Sequence, residues 1–189
     1  GTTVPFEAFT FYFKENAHGL FRVHAYRYEP KSSTFIVECT DQTFANTGLD
    51  ENDEDATAAY VAELFAEELK GHPLLKNRSI WRRFPIVHND RWHSDNLVLI
   101  GDAVHTAHFS IGSGTKLAME SAIALFNALR EHNDLGTALA SFDVERRLDV
   151  EITQHSADVS LAWFETMDEH WDIEPEKFAF QVMSRSKQI

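Results

Sequence analysis

Residues 96–125, NLVLIGDAVHTAHFSIGSGTKLAMESAIAL, constrain the fold more than any other part of the chain. The run NLVLI has the length and composition of a short strand buried on both faces, a pattern that belongs to α/β sheets. It ends in Gly101-Asp102-Ala103, and about ten residues later Gly112 and Gly114 lead into a helical pattern from Thr115 to Arg130. In that helix Leu117, Ala118, Ile123, Ala124 and Leu125 are expected to pack hard on a sheet. A strand ending in Gly-Asp presents a carboxylate beyond the carboxyl edge of a sheet, where open α/β folds bind ligands. Asp102 in that place can accept two hydrogen bonds from a polyol, although Gly-Asp also makes ordinary turns.

The second half of the passage, Gly112-Ser113-Gly114-Thr115-Lys116, lets backbone approach a ligand closely and aims the unpaired N–H groups of a helix start at it. Such a site favours electron-rich oxygen or nitrogen. It matches neither G-x-x-x-x-G-K-[ST] nor G-x-G-x-x-G, because Leu117 stands where a third glycine would be. Lys116 lies in the first helical turn, where the helix dipole disfavours a cation, so it needs a partner or solvent.

Two other chemistries fit parts of the same passage. His105 and His108 flank the loop, yet nothing singles out a third ligand, so no metal is expected. HFSIG approaches the nucleophile elbow G-x-S-x-G, with Asp143 and His155 following in α/β-hydrolase order. Ser110 is a poor nucleophile there, since an elbow turns directly from strand to helix and both partners fall inside a predicted helix.

Upstream, residues 9–13, 20–28 and 33–40 are rich in aromatic and β-branched residues and read as an antiparallel meander. Phe21, Val23 and Ala25 alternate with Arg22, His24 and Tyr26, which predicts a core face and a wetter face. The acidic run over residues 49–69 predicts a helix with Ala58, Val61, Leu64 and Phe65 on one side, stopped by Gly71 and Pro73. Residues 79–92 read as a strand interrupted at Pro85. Beyond the glycine loop, Leu135, Leu139, Phe142, Ile152, Val159 and Trp163 mark a long helix broken once, and the tail predicts a short helix without a terminal cap. The resulting division is 1–92, a sheet region with one helix, and 93–189, a strand–loop–helix region with carboxy-terminal helices.

The net charge of -13 disfavours nucleic acid and anionic membranes. The single cysteine, Cys39, cannot form an internal disulfide and suits a reducing compartment. No apolar run approaches the roughly 20 residues of a membrane span, and an export signal is lacking at the amino end, so a cytoplasmic location is expected. The chain starts at Gly1, close to a strand pattern, and is expected to be a fragment.

Taken whole, residues 96–125 resemble the second flavin-binding motif of the single-component aromatic hydroxylases, the para-hydroxybenzoate hydroxylase superfamily. HFSIGSGTKLAMESAIAL, the upstream FTFYF, HGLFRVHAYRY and STFIVE, and the tail FAFQVMSRS are most similar to the branch with salicylyl-CoA hydroxylase and 2-aminobenzoyl-CoA monooxygenase. The likeness covers nearly the whole chain. It implies an antiparallel substrate-side sheet joined to the distal half of a Rossmann-like FAD domain with long helices, α/β overall and α+β in this portion.

The resemblance also implies FAD as cofactor, NAD(P)H as co-substrate, and insertion of one oxygen from O2 into an aromatic ring, with an aryl-CoA thioester as the best substrate class. Gly101, Asp102 and Ala103 would hold the ribitol side of the flavin, and Gly112, Ser113, Gly114, Thr115 and Lys116 the pyrimidine end. A helix amino end placed there would stabilise negative charge on the reduced ring. His24, Tyr26 and Phe84 are candidates for the substrate wall, and no residue stands out as a general base.

Two departures from the family pattern matter. Phe109-Ser110-Ile111 stands where many members carry a proline. The amino-terminal G-x-G-x-x-G and the NAD(P)H-related Asp-Gly motif are missing, so an upstream Rossmann segment is expected to complete the cofactor site. The alternatives are a non-catalytic binding module descended from a flavoprotein, a flavin-dependent halogenase or dehydrogenase relative, and an α/β-hydrolase-like enzyme using Ser110.

Overall fold

The computed structural model describes residues 1–186 and divides into two compact units, Gly1–Arg83 and a second that begins at Phe84. The division falls nine residues before the boundary suggested by the strand pattern. Val87 and Trp92 explain it: Val87 N donates to Thr106 Oγ1, and Trp92 packs in the second unit's core.

The first unit is built on a three-stranded antiparallel sheet in the order β1 (Thr10–Asn16), β2 (Gly19–Glu29), β3 (Ser32–Cys39). Three helices follow where one was expected, α1 (Asp41–Thr47), α2 (Glu54–Leu64) and α3 (Ala66–Leu69), the acidic run being divided at non-helical Phe65. The expected meander is therefore present. One sheet face buries Phe21, Val23, Ala25 and Phe35 with Phe6 and with Val61, Phe65 and Leu69 of the helical segment. Asp53 caps α2 by accepting from Ala56 N, and the chain leaves α3 through left-handed Lys70 and Gly71. Helix α1 has only a local signal, the Thr40 side chain accepting from Thr43 N.

The opposite face departs from the expected alternation. Arg22 and His24 are as buried as the core residues beside them, and only Tyr26 is exposed. Register explains this, because Arg22 lies directly across from Glu38 and His24 directly across from Phe11. A cavity of about 590 Å³ lined by Phe35, Val61, Leu74 and Trp81 also lies in this unit, and none of the candidate cofactor or substrate residues lines it.

The second unit is dominated by two helices, α4 (Gly114–Glu131) and α5 (Leu135–Glu165), followed by α6 (Pro175–Ser184). Leu117, Ala124 and Ala128 of α4 meet Phe142, Val150 and Ala157 of α5 around Trp92, Val104 and Ala107. Helix α5 runs unbroken for 31 residues, contrary to the expected break, since no proline or glycine interrupts it after Gly136. Its buried stripe is Ala138, Leu139, Phe142, Arg146, Val150, Gln154, Ala157, Ser160 and Phe164, while Leu135, Ile152 and Val159 face outward. Trp163 is half-buried.

Three further expectations are corrected. Residues 79–92 are not a strand: Pro85 has no N–H to give, and Val87 bonds a threonine side chain instead of a ladder. NLVLI is not a buried strand, because only Leu97–Val98 (β5) pairs, with His93–Ser94 (β4). Leu97 is 73% exposed, having no neighbouring sheet to cover it among the described residues of this unit. On α4, Ile123 is exposed and joins Met119 and Phe126 in an apolar stripe, each residue 58–60% exposed. The tail helix forms as α6 with Pro175 in its first turn, and the last three residues lie outside the described region. No helix among the described residues is long and apolar enough to cross a membrane.

Candidate functional site

The glycine passage folds into two 3-10 turns and a helix start, all within the second unit. Gly101 takes a left-handed φ of +59° and opens the turn Gly101–Ala103, whose carbonyl at Gly101 accepts from Val104 N and His105 N. A Cβ on Gly101 would stand 3.4 Å from the Ala118 methyl, an ordinary contact with the first turns of α4, so it is the left-handed φ that calls for glycine here. Asp102 and Ala103 are left exposed, and the Asp102 carboxylate makes no hydrogen bond to the described residues.

The second turn, Phe109–Ile111, closes through Gly112 at φ +68°, whose N–H bonds the Phe109 carbonyl. Ser113 then starts α4 without capping it: its hydroxyl reaches back to Ile111 O, and no side chain satisfies the first-turn N–H groups. A Cβ at Gly112 or Gly114 would meet nothing within 4 Å. The amino end of α4 is therefore open, with its partial positive charge unanswered by any acidic side chain of the first turn.

Lys116 resolves its unfavourable position by pairing with Glu120 at 2.6 Å while staying largely in solvent. The charge of Glu120 is shared, since Arg146 Nη2 also approaches it at 3.3 Å. The Lys116 hydrogen bond, with its charge and that of Arg146, holds the Glu120 carboxyl below the usual carboxylate range.

Behind the open face the passage is fixed by buried polar contacts. His105 sits under Trp92 with rings 5.4 Å apart, and its Nε2 lies 3.2 Å from Ser121 Oγ on α4. Burial, with the Arg146 charge, pushes the His105 imidazole below its ordinary value. His108 Nδ1 accepts from Ser110 N, and its ring stacks on Phe109 at 4.6 Å.

Phe84 stands edge-on to both His108 and Phe109, at 5.3 and 5.5 Å, which brings one substrate-wall candidate against the glycine loop. Ser110 is buried, its Oγ 2.9 Å from Ser160 Oγ and its carbonyl accepting from Arg185. Asp143, the acid a hydrolase would need, is engaged with Arg147. Among the described residues no group of three or more His, Cys, Asp or Glu could hold a metal ion.

The other two wall candidates belong to the first unit. Tyr26 stacks on Phe9 at 5.4 Å, and both rings are exposed. His24 is buried between Phe11, with ring centroids 4.8 Å apart, and Glu38, whose Oε2 lies 3.5 Å from His24 Nε2. Arg22 Nε donates to the same carboxylate oxygen. Burial pushes the Glu38 carboxyl up, but the close approach of His24 and the hydrogen-bonded charge of Arg22 prevail and hold it below the ordinary carboxylate range. The alternating pattern gave no reason to pair Arg22 with Glu38; the cross-strand register would have done so.

The sequence profile described as FAD binding domain matches residues 2–151. Over 98% of its length the chain is 41% identical to the salicyloyl-CoA 5-hydroxylase of a Streptomyces species, covering 38% of that protein. It is 39% identical to the protodeoxyviolaceinate monooxygenase of Chromobacterium violaceum, over all of this chain and 51% of that one. With the 3-hydroxy-4-methyl-anthranilyl-[aryl-carrier protein] 5-monooxygenase of Streptosporangium sibiricum it shares 40% identity, over all of this chain and 49% of that one. The chain thus spans roughly two fifths to one half of the length of these curated relatives. A mutant of PqsL from Pseudomonas aeruginosa has the same fold, with a TM-score of 0.60 at 21% identity over 87% of this chain and 47% of that one.

Proposed function

Because the chain belongs to the FAD binding domain family, we propose that it is the flavin-ring and substrate-side portion of an FAD-dependent monooxygenase that hydroxylates an aromatic substrate. One observation carries the reading: the exposed carboxylate turn Gly101–Ala103 packs over α4, whose uncapped amino end opens beside left-handed Gly112. Asp102 offers two acceptor oxygens to the hydroxyls of a ribitol chain. The N–H groups of Ser113, Gly114, Thr115 and Lys116 offer donors and positive potential to the electron-rich edge of a flavin. These residues fit FAD in charge and in openness.

When bound, FAD supplies the redox chemistry with O2 and NAD(P)H; the protein supplies binding and orientation. The donors at α4 are fixed before any ligand arrives, so they stabilise developing negative charge without reorganising. Phe84, His108 and Phe109 give the loop an apolar flank that excludes water from one side. We assign Phe84, which lies against His108 and Phe109 of the loop, to the substrate wall; of the two first-unit candidates, Tyr26 is exposed and His24 is buried against Phe11 and Glu38. An aryl thioester is the substrate class we favour, because one relative's name carries a CoA thioester and another an aryl-carrier protein.

The diphosphate of FAD needs a glycine-rich cradle that these residues do not contain, and we infer that it lies elsewhere in the protein, with NAD(P)H acting on the assembled site. The cytoplasm, where NAD(P)H is held, is the compartment this reading requires.

The test is made with the protein expressed from its complete coding region. It is expected to purify with a flavin spectrum and to turn over salicylyl-CoA or 2-aminobenzoyl-CoA with NAD(P)H. Turnover of the free acids alone would overturn the thioester assignment. A colourless protein that does not bind FAD would overturn the monooxygenase reading and leave a binding module.

A further inference from the structure

The carboxy-terminal helix reaches the glycine loop through one side chain. Arg185, just beyond α6, donates from Nε to Ser160 Oγ at 2.9 Å, from Nη2 to the Ser110 carbonyl at 2.8 Å, and from Nη1 to Val182 O. Its guanidinium also lies 4.6 Å over the ring of fully buried Phe164. Ser160 is fully buried on α5, and its hydroxyl is the one that touches Ser110 Oγ. A planar fork of donors thus ties three segments, α5, α6 and the turn Phe109–Ile111, at one buried serine pair.

We propose that Arg185 is a positioning residue for the cofactor loop: it fixes the Ser110–Ile111 peptide and so sets the direction in which the following residues, Gly112 to Thr115, present their N–H groups. The assignment rests on the flavin reading of that loop. Its chemistry is that of a charge-assisted hydrogen bond to a main-chain carbonyl. The guanidinium holds the carbonyl in one orientation, and it polarises the peptide so that the Ile111 N–H becomes a stronger donor. Gly112, in contrast, has open space around it and no side chain to hold it. Without an anchor behind Ser110, a turn of three residues between two glycine-containing segments would sample other directions. The anchor lies 75 residues away in the sequence, so docking of α6 adds to the hold that Ser160 and His108 already have on the turn.

The experiment compares the complete protein with Arg185→Ala, Arg185→Lys and Ser160→Ala. Amide hydrogen exchange of residues 109–115 is read in the apoprotein, and FAD affinity and flavin midpoint potential in the holoprotein. Arg185→Ala is expected to speed exchange selectively in that loop, to weaken FAD binding about tenfold, and to lower the midpoint potential. Lysine keeps the charge but not the fork, so Arg185→Lys should recover only part of the affinity. Ser160→Ala, which removes a hydroxyl from an intact helix, should shift all three readouts in the same direction by less.

Unchanged loop exchange in Arg185→Ala overturns the proposal, as does an increase spread evenly over α5 and α6, which would mark a merely structural contact. Selective loop exchange with wild-type affinity and potential overturns it too. If the wild-type protein binds no FAD, the flavin reading itself fails and the positioning role falls with it, whatever the exchange shows.

Discussion

Arg22, Glu38 and His24 show what a single residue's neighbours can overrule. A charged residue on a strand face normally marks solvent, yet this trio is buried because its members compensate one another across β2 and β3. Such a cluster is costly to break. Removing one member leaves the others buried and uncompensated, so Glu38→Gln is expected to destabilise the first unit by about 3 kcal/mol at neutral pH, measured by urea unfolding. The pH dependence has a definite sign. The folded-state value of Glu38 lies below its ordinary 4.5, so its stabilisation is complete above that pH and is lost as pH falls through the lowered value. The variant should show a flatter acid limb; an unchanged limb would mean that the trio contributes nothing to stability.

At the scale of elements, the sequence located most of the structure and misjudged several faces. The meander, the acidic helix, α4 and α6 were legible because periodicity and stop signals are local properties of the chain. Helix α5 was legible as a helix but not as a continuous one, and its apolar letters did not report its buried side. Arg146, Gln154 and Ser160 point inward, where they find Glu120 and Asp149, the Val87 and Thr106 carbonyls, and Ser110 respectively. Buried polar positions that depend on distant partners leave no periodic trace. The observed stripe is checked by a pair of substitutions: Phe142→Ala should cost about 3–5 kcal/mol, while Ile152→Ala, on the exposed side, should stay within about 0.5 kcal/mol. Equal effects in thermal or urea unfolding would show that the stripe is misassigned. In the candidate site the glycines and Asp102 were readable from spacing, and Phe84 stands with them through its edge-on contact with His108. The support from Ser160 and Arg185 was not, since nothing near either residue in the sequence points to the loop.

For the whole molecule, the apolar stripe on α4 and the exposed Leu97 stand out as apolar surface left to solvent. A solvent-facing NLVLI is the clearest case, because its composition suits a sheet interior. The two cores, by comparison, are distinct: one gathers around Phe21, Phe35 and Phe65, the other around Trp92, Phe142 and Val150, and among the described residues they have none in common. Between them the chain passes through exposed Arg82 and Arg83 in irregular backbone, the kind of site that a protease can draw into its cleft. Brief digestion with trypsin should therefore cut here early and yield two fragments that resist further cleavage, one ending in this arginine pair and one starting at or next to Phe84.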